Sequence, residues 1–262
     1  MKTMKKEEKA PVAATAVAKK EEGAENYFST LDFSALEVSM EEMLKAGVHF
    51  GHQKSRRNPK MNEYIFTTKK SINIIDLSKT QQKVSEALEF IKELRKEGKH
   101  ILFVGTRPQV KNLVVSAAKS VEMPYVVERW LGGTFTNFKN IRSRTRYLVD
   151  SQAMMEKGEF QKYTKFERMK KVEELEKMEE RMGGIKHMSE LPGAIFVTSV
   201  KEDRIAINEA QKIGIPVIGI SDTNTDPTLV DYPIPANDDA LSSVKLILSY
   251  VCKALSTSKK QA

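Results

Sequence analysis

Two hydrophobic patterns alternate along this chain. Short apolar runs at 101–104, 194–197 and 215–220, the last interrupted only by Pro216 near its start, alternate with stretches whose apolar residues recur every three or four positions. The continuous runs predict strands covered on both faces, and the spaced pattern predicts helices. Pro108 stands where a helix can begin, and Val110, Leu113, Val114 and Ala117 supply its buried stripe. Ile205 and Ala206 lie on a second helix that reaches Gly214, and a closing helix is expected over 238–254, with Asp238 and Asp239 at its positive end. Upstream, Ser39 and Glu42 form a capping-box pattern before Met43 and Leu44, and Gly47 stops that short helix. Residues 64–66 and 72–77 read as a hairpin around the polar turn 67–71. Ser78 with Gln81 then caps a long helix striped by Val84, Leu88, Ile91 and Leu94 and ending at Gly98. Strands and helices in alternation predict a three-layer α/β domain with a mainly parallel sheet.

The stretch 137–182 breaks the alternation, with no strand pattern in it. Phe138, Ile141, Leu148 and Met155 stripe one helix, and Gly158 interrupts. Phe166, Met169, Val172, Leu175 and Met182 stripe another, which ends at Gly183 and Gly184. Two helices with narrow apolar seams predict an antiparallel coiled-coil helical hairpin over 137–182, inserted into an α/β domain made of 33–136 and 183–255. Residues 1–32 mix charge clusters with Ala and Val and hold too few large apolar groups to offset ordering entropy. They are expected to be a disordered tail, and 256–262 a flexible one.

Of the 262 residues, 43 are Lys or Arg and 35 are Asp or Glu, a formal net charge of +8. Such a balance favours a polyanionic partner when the charge is concentrated, and two segments concentrate it. Between 45 and 70, Lys45, Lys54, Arg56, Arg57, Lys60, Lys69 and Lys70 face a single acid, Glu63. Within this segment 47–53 reads as a loop. Its glycines permit close backbone approach, and His49, Phe50, His52 and Gln53 can stack on or hydrogen-bond with nucleotides. Between 129 and 146, Arg129, Lys139, Arg142, Arg144 and Arg146 stand without any acid, interleaved with Trp130, Phe135 and Phe138. Arg142 and Arg146 lie one helical turn apart on a side away from Phe138 and Ile141, placed to follow a phosphate backbone together.

Other chemistry finds less support. His49 and His52 have the spacing of a ligand pair, but no third His, Cys or acid lies near them in sequence, so no metal site is expected. Val104-Gly105-Thr106 follows a strand as a phosphate-cradling turn would, yet lacks a Gly-x-Gly-x-x-Gly or Walker lysine pattern. Asp222-x-Asn224-x-Asp226 begins like a calcium loop, but Pro227 and Pro233 occupy the positions of its glycine and its bidentate glutamate. A nucleotide-using enzyme built on Gly105, Thr106, Asp222 and Asp226 is the competing reading, because open α/β sheets hold ligands at that edge. No nucleophile with a paired base is found, so neither catalysis nor a cofactor is expected. Cys252, the one cysteine, excludes an internal disulfide and fits a reduced, cytoplasmic setting; no run has the length of a membrane span.

Several longer segments stand together in the chain: Leu44-Lys-Ala-Gly-Val-His-Phe-Gly-His-Gln53, Asn58-Pro-Lys-Met61, Glu128-Arg-Trp-Leu-Gly-Gly-Thr-Phe-Thr-Asn-Phe138, Gly214-Ile-Pro-Val-Ile218 and Asp222-Thr-Asn-Thr-Asp-Pro227. From 40 to 255 the chain resembles the bacterial small-subunit ribosomal protein S-two family. The resemblance implies a flavodoxin-like α/β/α domain with a projecting coiled-coil hairpin. It also implies a structural, non-enzymatic role in translation, bound to small-subunit ribosomal RNA on the solvent side between head and body. Neighbouring ribosomal proteins would be its partners, among them the S-one protein that brings messenger RNA, with no membrane association and no homo-oligomer. The RNA contacts expected are the residues of the two basic segments, with Thr134 and Asn137 of the matching motif added. The sequence departs from the family pattern twice. Arg57 stands where a tryptophan is usual, which exchanges a stacking group for a phosphate binder, and Ser199-Val200 stands where Asp-Pro is usual, which removes an acid from the sheet edge.

Overall fold

The computed structural model describes residues 28, 37–158, 160 and 163–257. Helix α1 (Met40–Lys45) leads into β1 (Phe50–Gln53), which joins β2 (Ile65–Lys69) and β3 (Ile72–Ile75) in a small antiparallel sheet of order β1-β3-β2. Then come α2 (Leu77–Lys96), β4 (Ile101–Val104), α3 (Lys111–Ser120) and β5 (Tyr125–Val126). Two further helices follow, α4 (Phe138–Glu156) and α5 (Lys165–Met182). The chain ends with β6 (Ala194–Val197), α6 (Arg204–Ile213), β7 (Val217–Ser221), β8 (Tyr232–Pro235) and α7 (Leu241–Thr257). Strands β4 to β8 form one parallel sheet of order β5-β4-β6-β7-β8, the doubly wound arrangement in which the direction of travel reverses between β4 and β6.

The three layers follow from what each strand face touches. Ile101, Phe103, Phe196, Ile218 and Ile220 pack into one core with α2, α3 and α7. Leu102, Val104, Ile195, Val197 and Val217 pack into a second core with α6 and with Trp130, Phe135 and Ile141. Every residue of β4, β6 and β7 is therefore buried, the reason these runs are apolar without alternation. Phe103 sits opposite Phe196 in the register, with ring centroids 5.6 Å apart. Cys252 is buried in the first core, where burial pushes its thiol up to about 12, so it stays a protonated hydrophobe.

Several boundaries differ from expectation for local reasons. Ser39 caps α1 through the Glu41 N–H, and Glu42 completes no capping box; its carboxylate accepts from the Tyr250 hydroxyl at 3.3 Å. Asp76, not Ser78, caps α2, while Gln81 donates its amide to the Val38 carbonyl. The hairpin turn is the pair Lys70 and Ser71, both at positive φ without glycine. Segment 50–53, expected as loop, is strand β1, because its partner β3 is distant in sequence. Helices α3 and α7 begin at Lys111 and Leu241, later than their polar leads suggested. Strand β5 has two residues and β8 contains Pro233 and Pro235, which an edge strand tolerates because one side needs no donor.

In 137–182 the two expected helices are present and meet through Leu148, Leu175 and Phe160. Met155, Phe166 and Met169, expected in the seam, are exposed, and small Thr145 and Ser151 are buried in their stead. Glu167 closes a capping box with Thr164 at the start of α5. The tails expected at 1–32 and 256–262 lie outside the described residues, except at two places. Phe28 is buried in the first core, and α7 runs on through Ser256 and Thr257. No helix among the described residues is long and apolar enough to cross a membrane. Phe196→Ala, which opens a void between two central strands, should cost about 3–5 kcal/mol of unfolding free energy in a urea titration; a loss under about 1 kcal/mol would contradict the packing described.

Candidate nucleic-acid interface

All five parallel strands end at one edge, and the loops leaving that edge carry the polar groups. Gly105, just past β4, has no room for a side chain: a Cβ there would lie 2.7 Å from Val114 Cγ2 and 2.9 Å from Thr198 Oγ1. Next to it the Thr106 hydroxyl donates to Asp203 Oδ1 at 2.8 Å. Arg107 reaches across the edge, donating to the Asp238 carbonyl at 2.7 Å, to Asp238 Oδ2 at 3.0 Å and to Asp239 Oδ1 at 2.9 Å. Ser199 donates to the same Asp238 Oδ2 at 2.6 Å. The turn that resembled a phosphate cradle is thus occupied from within by the protein's own carboxylates. Burial holds the carboxyls of Asp203 and Asp238 up at about 6, the latter raised further by the charge of Asp222.

Strand β1 is pinned over this edge by Thr223, whose Oγ1 accepts the His52 N–H at 2.9 Å. His52 Nδ1 lies 3.0 Å from Asp222 Oδ2 and its Nε2 3.3 Å from Asp239 Oδ2. The bond to Asp222 raises the imidazole pKa, against the opposing effect of burial, and the charges of Asp222, Asp239 and Asp238 add to it. His52, Asp222, Asp238 and Asp239 present ligand atoms within 4.8 Å of one another, a set of one nitrogen and three carboxylates able to hold a divalent cation. The partners missing from the local sequence around His52 come from the ends of β7 and β8, so spacing alone could not find them. His49 is not among them: its ring lies against Phe50, centroids 4.0 Å apart, and burial lowers its pKa. Asp226 caps the turn at Pro227–Leu229 and pairs with Lys60 at 2.7 Å, so of the two acids in the calcium-loop pattern only Asp222 belongs to this cluster.

The basic residues divide by their surroundings. Lys54, Arg56, Lys69 and Lys70 are exposed around the small sheet, as are Phe50 and Gln53; Arg57 is half-buried, and Lys60 is engaged by Asp226 and Thr228. Phe66, at an irregularity of β2, is 74% exposed and was not singled out by the sequence. On the other side Arg129, Asn137, Lys139, Arg142, Arg144 and Arg146 are exposed, and among the described residues none of these cations makes an ion pair. Trp130 and Thr134, expected at the RNA contact, are buried. Trp130 is buried edge-on against Phe135 with its Nε1–H on Glu209, and the Thr134 hydroxyl turns back to the Leu131 carbonyl. A tryptophan in a basic run reads as a stacking group, and the acid that draws it inward lies far along the chain.

Two outcomes follow for the edge. The folded chain binds a proton at Asp203 more tightly than the unfolded chain, so this stabilisation is complete below the ordinary aspartate value and is lost as pH rises through about 6. Asp203→Asn, which keeps an acceptor for Thr106, should therefore unfold at higher urea than the parent above pH ~7, by about 2–3 kcal/mol, and match it near pH ~4. A divalent cation must displace the proton of His52, so Zn²⁺ should raise the melting temperature more at pH ~8 than at pH ~6. It should not do so in Asp222→Asn, and an identical response in that variant would remove the site.

The family model described as Ribosomal protein S2 matches residues 43–258. A relative from Roseiflexus castenholzii (strain DSM 13941 / HLO8), described as Small ribosomal subunit protein uS2, is 47% identical over 217 residues, covering 83% of this chain and 82% of its own. On this match, across nearly all of the described α/β core and both basic segments, the chain belongs to the ribosomal protein S2 family.

Proposed function

We propose that this structural constituent of the small ribosomal subunit holds ribosomal RNA between two basic surfaces, one on the small sheet and one at the base of α4. The observation that carries the reading is the set of exposed cations that make no ion pair among the described residues: Lys54, Arg56, Lys69 and Lys70 in one segment, Arg129, Lys139, Arg142, Arg144 and Arg146 in the other. A solvated helix face normally mixes signs; cations left unpaired in runs neutralise phosphates. Both segments meet the carboxyl edge of the same sheet, one pinned over it by Thr223 just past β7 and the other leaving it after β5. A rigid scaffold thereby holds them in a fixed relation.

In this reading 33–136 and 183–255 form the scaffold, and 137–182 projects from it as an antiparallel coiled-coil arm. The exposed Met155, Phe166 and Met169 on that arm suit contact with a neighbouring ribosomal protein. Neighbours include the S-one protein, and the chain performs no catalysis. The carboxylates at the sheet edge support this last point, because Thr106 and Arg107 are consumed by Asp203, Asp238 and Asp239 and leave no open cradle for a nucleotide.

Binding to small-subunit RNA should depend steeply on salt. With about five phosphates neutralised at the base of α4, that surface should contribute about −3.5 to −4.5 to the slope of log affinity against log salt. Replacing Arg142, Arg144 and Arg146 together by Ala should lower its magnitude by about 2 to 3 while the melting temperature stays near that of the parent. Filter binding between low and moderate salt reads both quantities. An unchanged slope in the triple variant would overturn this contact set.

A further inference from the structure

One buried carboxylate organises the whole loop ahead of α4. Glu209, on α6 and only 8% exposed, accepts the Gly133 N–H at 2.7 Å and the Trp130 Nε1–H at 3.2 Å on Oε1. Its Oε2 accepts the Phe135 N–H at 3.0 Å, with the Thr136 N–H at 3.4 Å. An ionised carboxylate is costly to bury unless donors surround it, and convergent N–H groups are the strongest compensation a backbone offers. Burial works to raise its pKa, but the N–H groups of Gly133 and Phe135, then Trp130 and Thr136, outweigh that effect and hold it below the usual glutamate range. The charge therefore persists at neutral pH, and the loop closes on it.

The loop is in turn the footing of the basic helix. Gly133 takes a positive φ of 89° and its carbonyl accepts the N–H of Asn137, the residue that opens α4. Trp130, Phe135 and Ile141 pack in one cluster with Met182 and Ile185 at the far end of α5 and with Ala206, Ile207 and Ala210 of α6. The start of α4 and the end of α5 thus share one core with α6, and Glu209 is the polar tie between α6 and the loop ahead of α4. Arg142 and Arg146 lie one and two turns beyond it.

We propose that Glu209 is a positioning residue for RNA binding: from inside the protein, without touching RNA, it sets the direction in which α4 presents Arg142, Arg144 and Arg146. This inference rests on the reading of that face as an RNA contact.

Trp130 is the single tryptophan, so its fluorescence reports on the loop directly. Glu209→Gln keeps the shape but turns an amide N–H₂ toward N–H donors. Its Trp130 emission should move to longer wavelength, and binding to in vitro transcribed small-subunit ribosomal RNA should weaken about tenfold with a flatter salt slope. Val217→Ala, in the same core but away from the loop, controls for lost stability and should keep both the emission and the affinity of the parent. Glu209→Asp retains the charge and should recover part of the affinity, which keeps the test open if the Gln variant fails to fold. The proposal is overturned if Glu209→Gln shifts the emission yet binds as the parent does, if its emission does not move, or if Val217→Ala loses as much affinity. A triple Arg142, Arg144 and Arg146 variant that binds normally would bring down the RNA reading itself, and the positioning role with it. Loss in the triple variant with parental binding in Glu209→Gln would bring down the positioning role alone.

Discussion

A parallel sheet whose strands are apolar on both faces must be covered on both faces, and the rest of this molecule follows from that demand. Ile101 and Phe103 look one way and Leu102 and Val104 the other, so each strand needs helices above and below it. The connecting segments are forced into crossovers, and polar groups that cannot sit on either face gather where the strands end. The carboxyl edge becomes the one place in the scaffold where charge, loops and backbone donors meet.

In many folds of this topology that edge holds a ligand. Here the acids that would line such a site are largely spoken for by Arg107, Thr106, Ser199 and His52, and the loops bound to them act as a platform for cations that point outward. The same geometry that would make a binding crevice has become a clamp between β4, β6, β7 and β8. This is why single features of the edge, a Gly-Thr pair or an Asp-x-Asn-x-Asp run, imitate nucleotide or calcium chemistry while their contacts do not.

The sequence was most informative where one physical cause dominated. Fully buried strands such as 101–104 and 194–197 were legible because burial on both faces leaves no alternation to confuse, and the concentration of Arg between 129 and 146 was legible because like charges are not assembled by packing. Legibility failed where the deciding partner is remote. Strand β1 is held by β3 and Thr223, His52 by acids at the ends of two other strands, and Trp130 by Glu209 on α6. Strand β8 was hidden by prolines that an edge position tolerates, and the seam of α4 and α5 was misread because Met155, Phe166 and Met169 are exposed while small Thr145 and Ser151 are buried.

The order of the main sheet bears on how the chain is made. β4 must wait for β6, about ninety residues later, before its central pairing exists, whereas α4 and α5 need only each other and a few local contacts. On a growing polypeptide the helical pair is thus complete while its footing on α6 is still to be synthesised. Nascent chains halted before residue 204 would carry the basic helix without the acid that orients its base. Synthesis through α6 then supplies the carboxylate on which the loop ahead of α4 closes.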